Sequence, residues 1–202
     1  MNFLVSIIMP AYNAEKYIVE AIQSVLNQSY INWELLIVND GSNDKTEQCV
    51  FSFADERIKY FKQSNKGVSA ARNLALSKMR GDYFCFLDSD DVFTNNSLSA
   101  RLLMFQIDAS LSFVDGYIEV FDDESKVTLS TFKPIFKGIP TQDLVRLTGR
   151  CFYGITWLIK KENELDYRFN EEVKHGEDLL FFIENSVNKQ YAFSSEVVMK
   201  CR

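Results

Sequence analysis

The strongest constraint on the fold is a set of apolar runs that do not alternate and that each end in a polar cluster. Val5 to Met9 is stopped by Pro10, Trp33 to Val38 by Asn39-Asp40-Gly41-Ser42, and Tyr83 to Leu87 by Asp88-Ser89-Asp90-Asp91. A strand with one wet face alternates apolar and polar residues, whereas a strand apolar at every position is covered on both faces. Between the first two runs, Ala14, Tyr17, Ile18, Ala21, Ile22, Val25 and Leu26 recur at helical spacing, with Glu15, Lys16 and Glu20 on the other face. Asn13 suits the N-cap of that helix. Lys45 to Phe53, with Asp44 as cap, predicts a second helix, and Ile58 to Phe61 a short strand. Val68, Ala71, Leu74, Ala75 and Met79 form a third helical stripe, closed by Gly81. Strand, helix, strand, helix, strand, helix, strand is the order of an α/β fold with a doubly wound, mainly parallel sheet and right-handed crossovers. Such sheets bind ligands beyond the carboxyl ends of their strands. The three polar clusters, far apart in the chain, therefore converge on one edge.

The second half is less regular. Ser97 to Ile107 predicts a helix, and Leu111 to Phe121 a strand returning through Asp122-Asp123-Glu124-Ser125 toward Phe132. A short helix opens at Thr141, a strand is expected over Ile155 to Ile159, and Gly176-Glu177-Asp178 leads into a helix with Leu179, Leu180, Phe182, Ile183 and Val187. There is no repeat and no linker. Residues 1–98 are expected to form a ligand-binding half, and residues 99–202 a second half of the same domain. The chain's 202 residues can bury roughly 70% of the unfolded surface, so neither disulfide nor structural metal is needed.

Charge and cysteine usage exclude several classes. With 22 basic and 28 acidic residues the net charge is −6, which disfavours a nucleic-acid binder. Cys49, Cys85, Cys151 and Cys201 are scattered and only His175 could join them, so no zinc site is expected. The chain reads as a reduced, cytoplasmic protein. Its opening has no basic segment ahead of the apolar run, unlike a secretory leader. No uncharged stretch approaches the ~18 residues that span a bilayer, so membrane contact would be peripheral, at the inner face.

Asp88-Ser89-Asp90-Asp91 is the sharpest chemical signal. Three carboxylates in four residues repel one another unless a cation sits among them, and hard oxygen donors suit Mg²⁺ or Mn²⁺. The bland alternative is a solvated acidic turn that caps a helix through Asp91 or Asn95. Asp40 could accept hydrogen bonds from a base or ribose, or be only a turn former. Tyr12 could stack on a base, or be a packed rim aromatic. Lys66 and Arg72 could meet phosphate or base, or be a loop charge and a solvated helix face. Glu177 and Asp178 could include a general base, or simply complement a helix dipole. His175 could be a metal ligand or a phosphate contact, or neither.

In combination these segments resemble the family 2 glycosyltransferases of the GT-A fold. Val5 to Asn13 and Leu36 to Ser42 resemble the family's opening, Asn65 to Asn73 and Phe86 to Asp91 its next two blocks, and Gly176 to Phe181 its acceptor-side block. The resemblance covers most of the chain, and its specificity lies in five blocks in order. It implies a Rossmann-like nucleotide-binding half with an abutting acceptor-binding half, and inverting transfer of a sugar from a nucleotide-diphosphate donor, commonly a UDP-sugar, to an acceptor hydroxyl. It implies a nucleoside pocket at Pro10, Ala11, Tyr12, Asn13, Asp40 and Gly41, with Lys66 and Arg72 near base or phosphates and Asp88 and Ser89 at the ribose. Asp90, with Asp88, would hold Mn²⁺ or Mg²⁺ against the diphosphate, with Asp91 and His175 as weaker ligands. Asp178 would be the base, beside Glu177. The acceptor would be a carbohydrate or lipid-linked saccharide in bacterial surface polysaccharide synthesis. Family members commonly run past the strand near Arg202, which implies a C-terminal extension beyond this chain.

Two rivals share parts of the pattern. Leu87-Asp88-Ser89-Asp90-Asp91-Val92 also fits the aspartyl-nucleophile strand of haloacid-dehalogenase phosphatases, although that motif opens its fold and here three strand-helix units precede it. A non-catalytic nucleotide-sugar binding module would keep the carboxylates without transfer.

Overall fold

The computed structural model describes residues 3–202; Met1 and Asn2, at the start of the apolar opening, lie outside them. The elements are β1 (Val5–Ala11), α1 (Ile18–Leu26), β2 (Trp33–Asp40), α2 (Thr46–Phe51), β3 (Ile58–Gln63), α3 (Val68–Leu76), β4 (Tyr83–Phe86), β5 (Val92–Phe93), α4 (Ser97–Ile107), β6 (Leu111–Phe121), β7 (Thr128–Phe132), α5 (Thr141–Val145), β8 (Leu158–Lys160), α6 (Glu177–Asn185) and β9 (Gln190–Cys201).

The continuous apolar strands lie in the sheet interior, as expected. Val5, Ile7 and Met9 of β1 pack on one face with Ile18, Ile22 and Val25 of α1 and Leu98 and Leu102 of α4. Ile8 of the same strand packs on the other face with Leu36, Val38, Ala71, Ala75 and the aromatic side chains of α6. With both faces covered, no position of β1 or β2 faces water. The sheet runs β3-β2-β1-β4-β8-β6-β9-β5, with β7 paired to β6. The β3-β2-β1-β4 part is parallel. Beyond β4 the sheet becomes mixed: β8 is antiparallel to β4 and β6, and β9 runs parallel to β6 and antiparallel to β5. The first half is thus doubly wound as predicted, and the second extends the same sheet.

Several local expectations are revised. Asn13 does not cap α1; it adopts a left-handed φ of 49°, and Tyr17 occupies the N-cap. The third stripe extends to Met79, but α3 ends at Leu76 and the chain continues as turn. The strand expected from Ile155 begins at Leu158, because residues 153–157 form an irregular wall. Asn96 precedes α4, so neither Asp91 nor Asn95 caps it. Gln190–Cys201 is a long strand of which only Val197 to Met199 were conspicuous in sequence.

Two packing features fix the strand ends. Buried Glu34 accepts from the Ser6 hydroxyl at 2.7 Å and from the Arg80 backbone and guanidinium at 2.7 to 2.9 Å. This lock holds the turn between α3 and β4 against β1. An aromatic cluster does the same for α6: Phe169 and Phe181 stack at 4.3 Å, and Phe86 meets both edge-on. Phe86 is the last residue of β4, and Phe181 lies one turn into α6, on the face that Glu177 shares. Apolar packing therefore sets the distance between Asp88 and the first turn of α6.

Candidate active site

The carboxyl ends of β1, β2 and β4 and the start of α3 enclose a cleft of about 460 Å³. Pro10, Ala11, Tyr12, Asn13, Asp40, Asp88, Ser89 and Asp90 line it, together with Tyr17, Asn65, Gly67, Val68 and Ala71. Sequence reasoning thus brought most of this group together. Tyr12 is 50% exposed at the rim, available for stacking.

Asp40 is buried and already engaged. It accepts from the Gln63 amide at 2.7 Å and from the backbone N–H groups of Lys66 and Gly67 at 2.9 and 2.8 Å. It shapes the 63–67 loop that forms one wall. Gly41 makes the same approach possible: its φ is +76°, and a Cβ there would lie 2.7 Å from the Asn65 backbone nitrogen. Asn39 caps the turn by accepting from Ser42 N–H at 2.8 Å, and Ser42 accepts from Asn13 N–H at 2.9 Å, joining the β1 and β2 loops.

Of the two cations expected at the nucleotide, Arg72 lies at the acidic turn beside Asp88 and Asp90, whereas Lys66 lines a neighbouring cavity with Asn73, Ser77, Lys161 and Arg168. Its backbone is what faces Asp40. Arg72 is 4% exposed, so it is not the solvated helix charge that its spacing suggests. It donates to Asp88 at 3.0 Å and to Glu177 at 3.4 Å, and lies over the Phe169 ring. Arg72 is therefore a tie between β4 and α6.

A second cavity, of about 350 Å³, opens on the other side of the acidic turn. Asp88 and Asp90 line this cavity as well as the cleft, and here they face Glu177, Asp178, Tyr153, Gly154, Ile155 and Thr156. Asp178 stands in the first turn of α6, entered through Gly176 in a left-handed conformation, and accepts from Leu179 N–H at 2.7 Å. His175 is exposed and lines neither cavity, so it is not brought to the carboxylates.

Burial pushes the Asp91 acid up to about 7, with Asp88 and Asp90 adding repulsion. Among the described residues no three His, Cys, Asp or Glu side chains are arranged as a metal cage. Asp88 and Asp90 line the cleft together and would offer two hard oxygen donors of the kind that Mg²⁺ or Mn²⁺ takes.

Arg202 was not anticipated. Its backbone N–H donates to Asp91 at 3.1 Å, and its guanidinium reaches Asp123 at 2.8 Å, the Asp90 carbonyl and Glu20. It lies over the Tyr17 and Phe121 rings and holds Asp123 far below the usual carboxylate range. Only the pairing of β9 beside β5 brings it to the acidic turn, and no local motif signals that.

A half-parallel sheet with strand-end carboxylates set between two clefts is the GT-A architecture of glycosyltransferases. The chain belongs to glycosyl transferase family 2, whose profile matches residues 6–166. An uncharacterized glycosyltransferase of Haemophilus influenzae is 39% identical over 184 residues, 90% of this chain and 71% of that protein. The Escherichia coli protein WfgD, a UDP-Glc:alpha-D-GlcNAc-diphosphoundecaprenol beta-1,3-glucosyltransferase, is 44% identical over 127 residues, 62% of this chain and 50% of WfgD. The crystal structure of S. aureus TarS 1-349 in complex with UDP-GlcNAc superposes with a TM-score of 0.80 at 25% identity, covering 98% of this chain and 58% of that one. The chain thus spans only part of these relatives.

Proposed function

We propose that this chain transfers a sugar from a UDP-sugar, UDP-glucose first among them, to a hydroxyl of a saccharide carried on a lipid diphosphate, with inversion at the anomeric carbon. The observation that carries this reading is that Asp88 and Asp90 line both cavities, one with the nucleoside-type rim and one with Asp178. WfgD uses such a donor and acceptor, and TarS binds UDP-GlcNAc, which supports the choice.

Tyr12, Asp40 and the loop that Asp40 holds would bind the nucleoside, and Asp88 and Ser89 the ribose side. Asp88 and Asp90 would hold Mn²⁺ or Mg²⁺, which supplies neutralisation of the charge that develops on the departing diphosphate. Asp178 would take the proton of the acceptor hydroxyl while its oxygen bonds to the anomeric carbon. The bond from that carbon to the diphosphate breaks, and UDP leaves with the electron pair. Arg72 would keep the donor and acceptor sides in register by holding Asp88 and Glu177 together. Because the acceptor would be lipid-linked, we place the work at the inner membrane face through peripheral contact; among the described residues no helix is long and apolar enough to cross a membrane.

The test is transfer from radiolabelled UDP-glucose, with other UDP-sugars in parallel, to a short-chain GlcNAc-α-diphosphate lipid in Mn²⁺. Transfer to lipid supports the reading. Release of free sugar and UDP only, or no turnover at all, with every donor tried, overturns it.

A further inference from the structure

Behind the second cavity lies a buried polar cluster that the reaction above does not use. Asp115, on β6, has no exposed surface, and its carboxylate makes no well-formed hydrogen bond, although the Gly116 N–H and the Thr156 and Trp157 side chains stand close enough to favour its charged form. The Thr156 hydroxyl and the Tyr191 hydroxyl are also buried and unpartnered. Elsewhere among the described residues, only Trp33 Nε1 and Arg72 Nε share that state. The three groups are neighbours. Burial pushes the Asp115 acid up to about 7, and the Thr156 hydroxyl and the Arg101 charge are among the groups that draw it back down. Asp115 in turn raises the Tyr191 phenol, after burial itself. Buried polar groups are costly when unpaired, so a collection of them in one place calls for a role.

Thr156 supplies the link to the site. It lines the second cavity with Tyr153, Gly154, Ile155 and Asp178. This wall lies outside helix and strand until Leu158, so side chains must hold it in place. Arg101, fully buried on α4, binds the Thr156 carbonyl at 2.7 Å while its other nitrogens bind Ser97. Asp115 faces the same residue from β6. One residue of the wall is thus gripped by a buried cation and faced by a buried acid. A hydroxyl rotation, or one ordered water of the kind polar interiors hold, completes the second grip.

We propose that Asp115 is a positioning residue for the acceptor side: its carboxyl holds the Thr156 hydroxyl and, with Arg101 on the Thr156 carbonyl, fixes the 153–157 wall of the cavity that contains Asp178. Its effect on the reaction rests on the function proposed above; its effect on the wall does not.

The test uses Thr156→Val, Thr156→Ser and Asp115→Asn in the whole chain. Three readouts are needed: amide hydrogen exchange, UDP binding by calorimetry, and transfer from UDP-glucose to the GlcNAc-α-diphosphate lipid. Thr156→Val keeps the side-chain shape and removes the hydroxyl, so it is informative even if Asp115→Asn folds poorly. In Thr156→Val and Asp115→Asn, exchange in the 150–158 segment should rise roughly tenfold while β1 and α3 are unchanged. UDP affinity should stay within about twofold, and the acceptor KM should rise about tenfold with a smaller change in kcat. Thr156→Ser should restore both. Unchanged exchange with unchanged KM would overturn the inference. So would a joint fall of UDP affinity, kcat and melting temperature, which marks a general structural loss. If the parent chain binds UDP but transfers nothing, the proposed reaction fails and the exchange result alone decides this inference.

Discussion

Asp178 stands one helical turn before Phe181, and Phe181 is stacked on Phe169 and braced by Phe86, two residues before Asp88. The carboxylate assigned as base is therefore held by packing on a rigid element. Asp178→Asn keeps this packing and removes only the proton acceptor. It should lower kcat by roughly 10² to 10⁴-fold, with UDP affinity nearly unchanged in calorimetry. Asp115 gives a second residue-level prediction. Its acid titrates near 7 in the folded chain because burial disfavours its charge, against an ordinary value near 4 in the unfolded chain. The folded state binds the proton more tightly, so this contribution to stability is complete below pH 4 and lost as pH rises through 7. Asp91 shifts in the same direction but is common to parent and variant. The groups facing Asp115 are Arg101 from α4, Tyr191 from β9 and Cys151. Asp115→Asn lacks the slope. The melting temperature of the variant relative to the parent should rise between pH 5 and pH 8, by roughly 2–4 °C per kcal/mol recovered. A constant difference across that range would show that Asp115 does not titrate there.

The elements that matter most are loops fixed by backbone contacts. Gly41 turns the chain after β2 so closely against Asn65 that a Cβ would lie 2.7 Å from its nitrogen. Gly41→Ala combines this clash with a left-handed backbone, at a cost on the order of 1–3 kcal/mol. We expect a fall of about tenfold or more in UDP affinity, since the loop that Asp40 holds is displaced; the Kd from calorimetry checks it. This turn was legible in the sequence, because Asn-Asp-Gly-Ser after an apolar run has a local physical signature. So were β1, β2 and β4, whose apolar runs match the faces they bury; for α6 the helix was legible, but its stripe missed the buried Phe181 and included Val187, which lies exposed beyond its end. The irregular 153–157 wall was not, since its shape depends on Arg101 and Asp115 from other elements. Arg72 misled for a related reason: a charge at helical spacing looks solvated until Phe169, Asp88 and Glu177 close around it.

At the scale of the whole molecule, one sheet serves two clefts. Its parallel half was readable because each strand carries its own hydrophobic pattern and ends in its own polar cluster. The mixed half was harder to read. The parallel pairing of β9 with β6 joins segments far apart in the chain and leaves no period in the sequence. The antiparallel pairing of β9 with β5 delivers Arg202 to Asp91, and the β4–β8–β6 order delivers Thr156 toward Asp178. The acidic turn at the centre is where both clefts meet, so a divalent cation and a nucleotide diphosphate should bind there together. The most direct measurement is calorimetric titration of the chain with UDP, with and without Mn²⁺, repeated for Asp90→Ala. Binding that strengthens at least tenfold with Mn²⁺, a gain of about 1.4 kcal/mol or more, and that loses this gain in the variant, is the predicted result. UDP affinity that is the same with and without Mn²⁺, or a gain that survives in Asp90→Ala, would contradict the assignment of Asp88 and Asp90 as the cation seat.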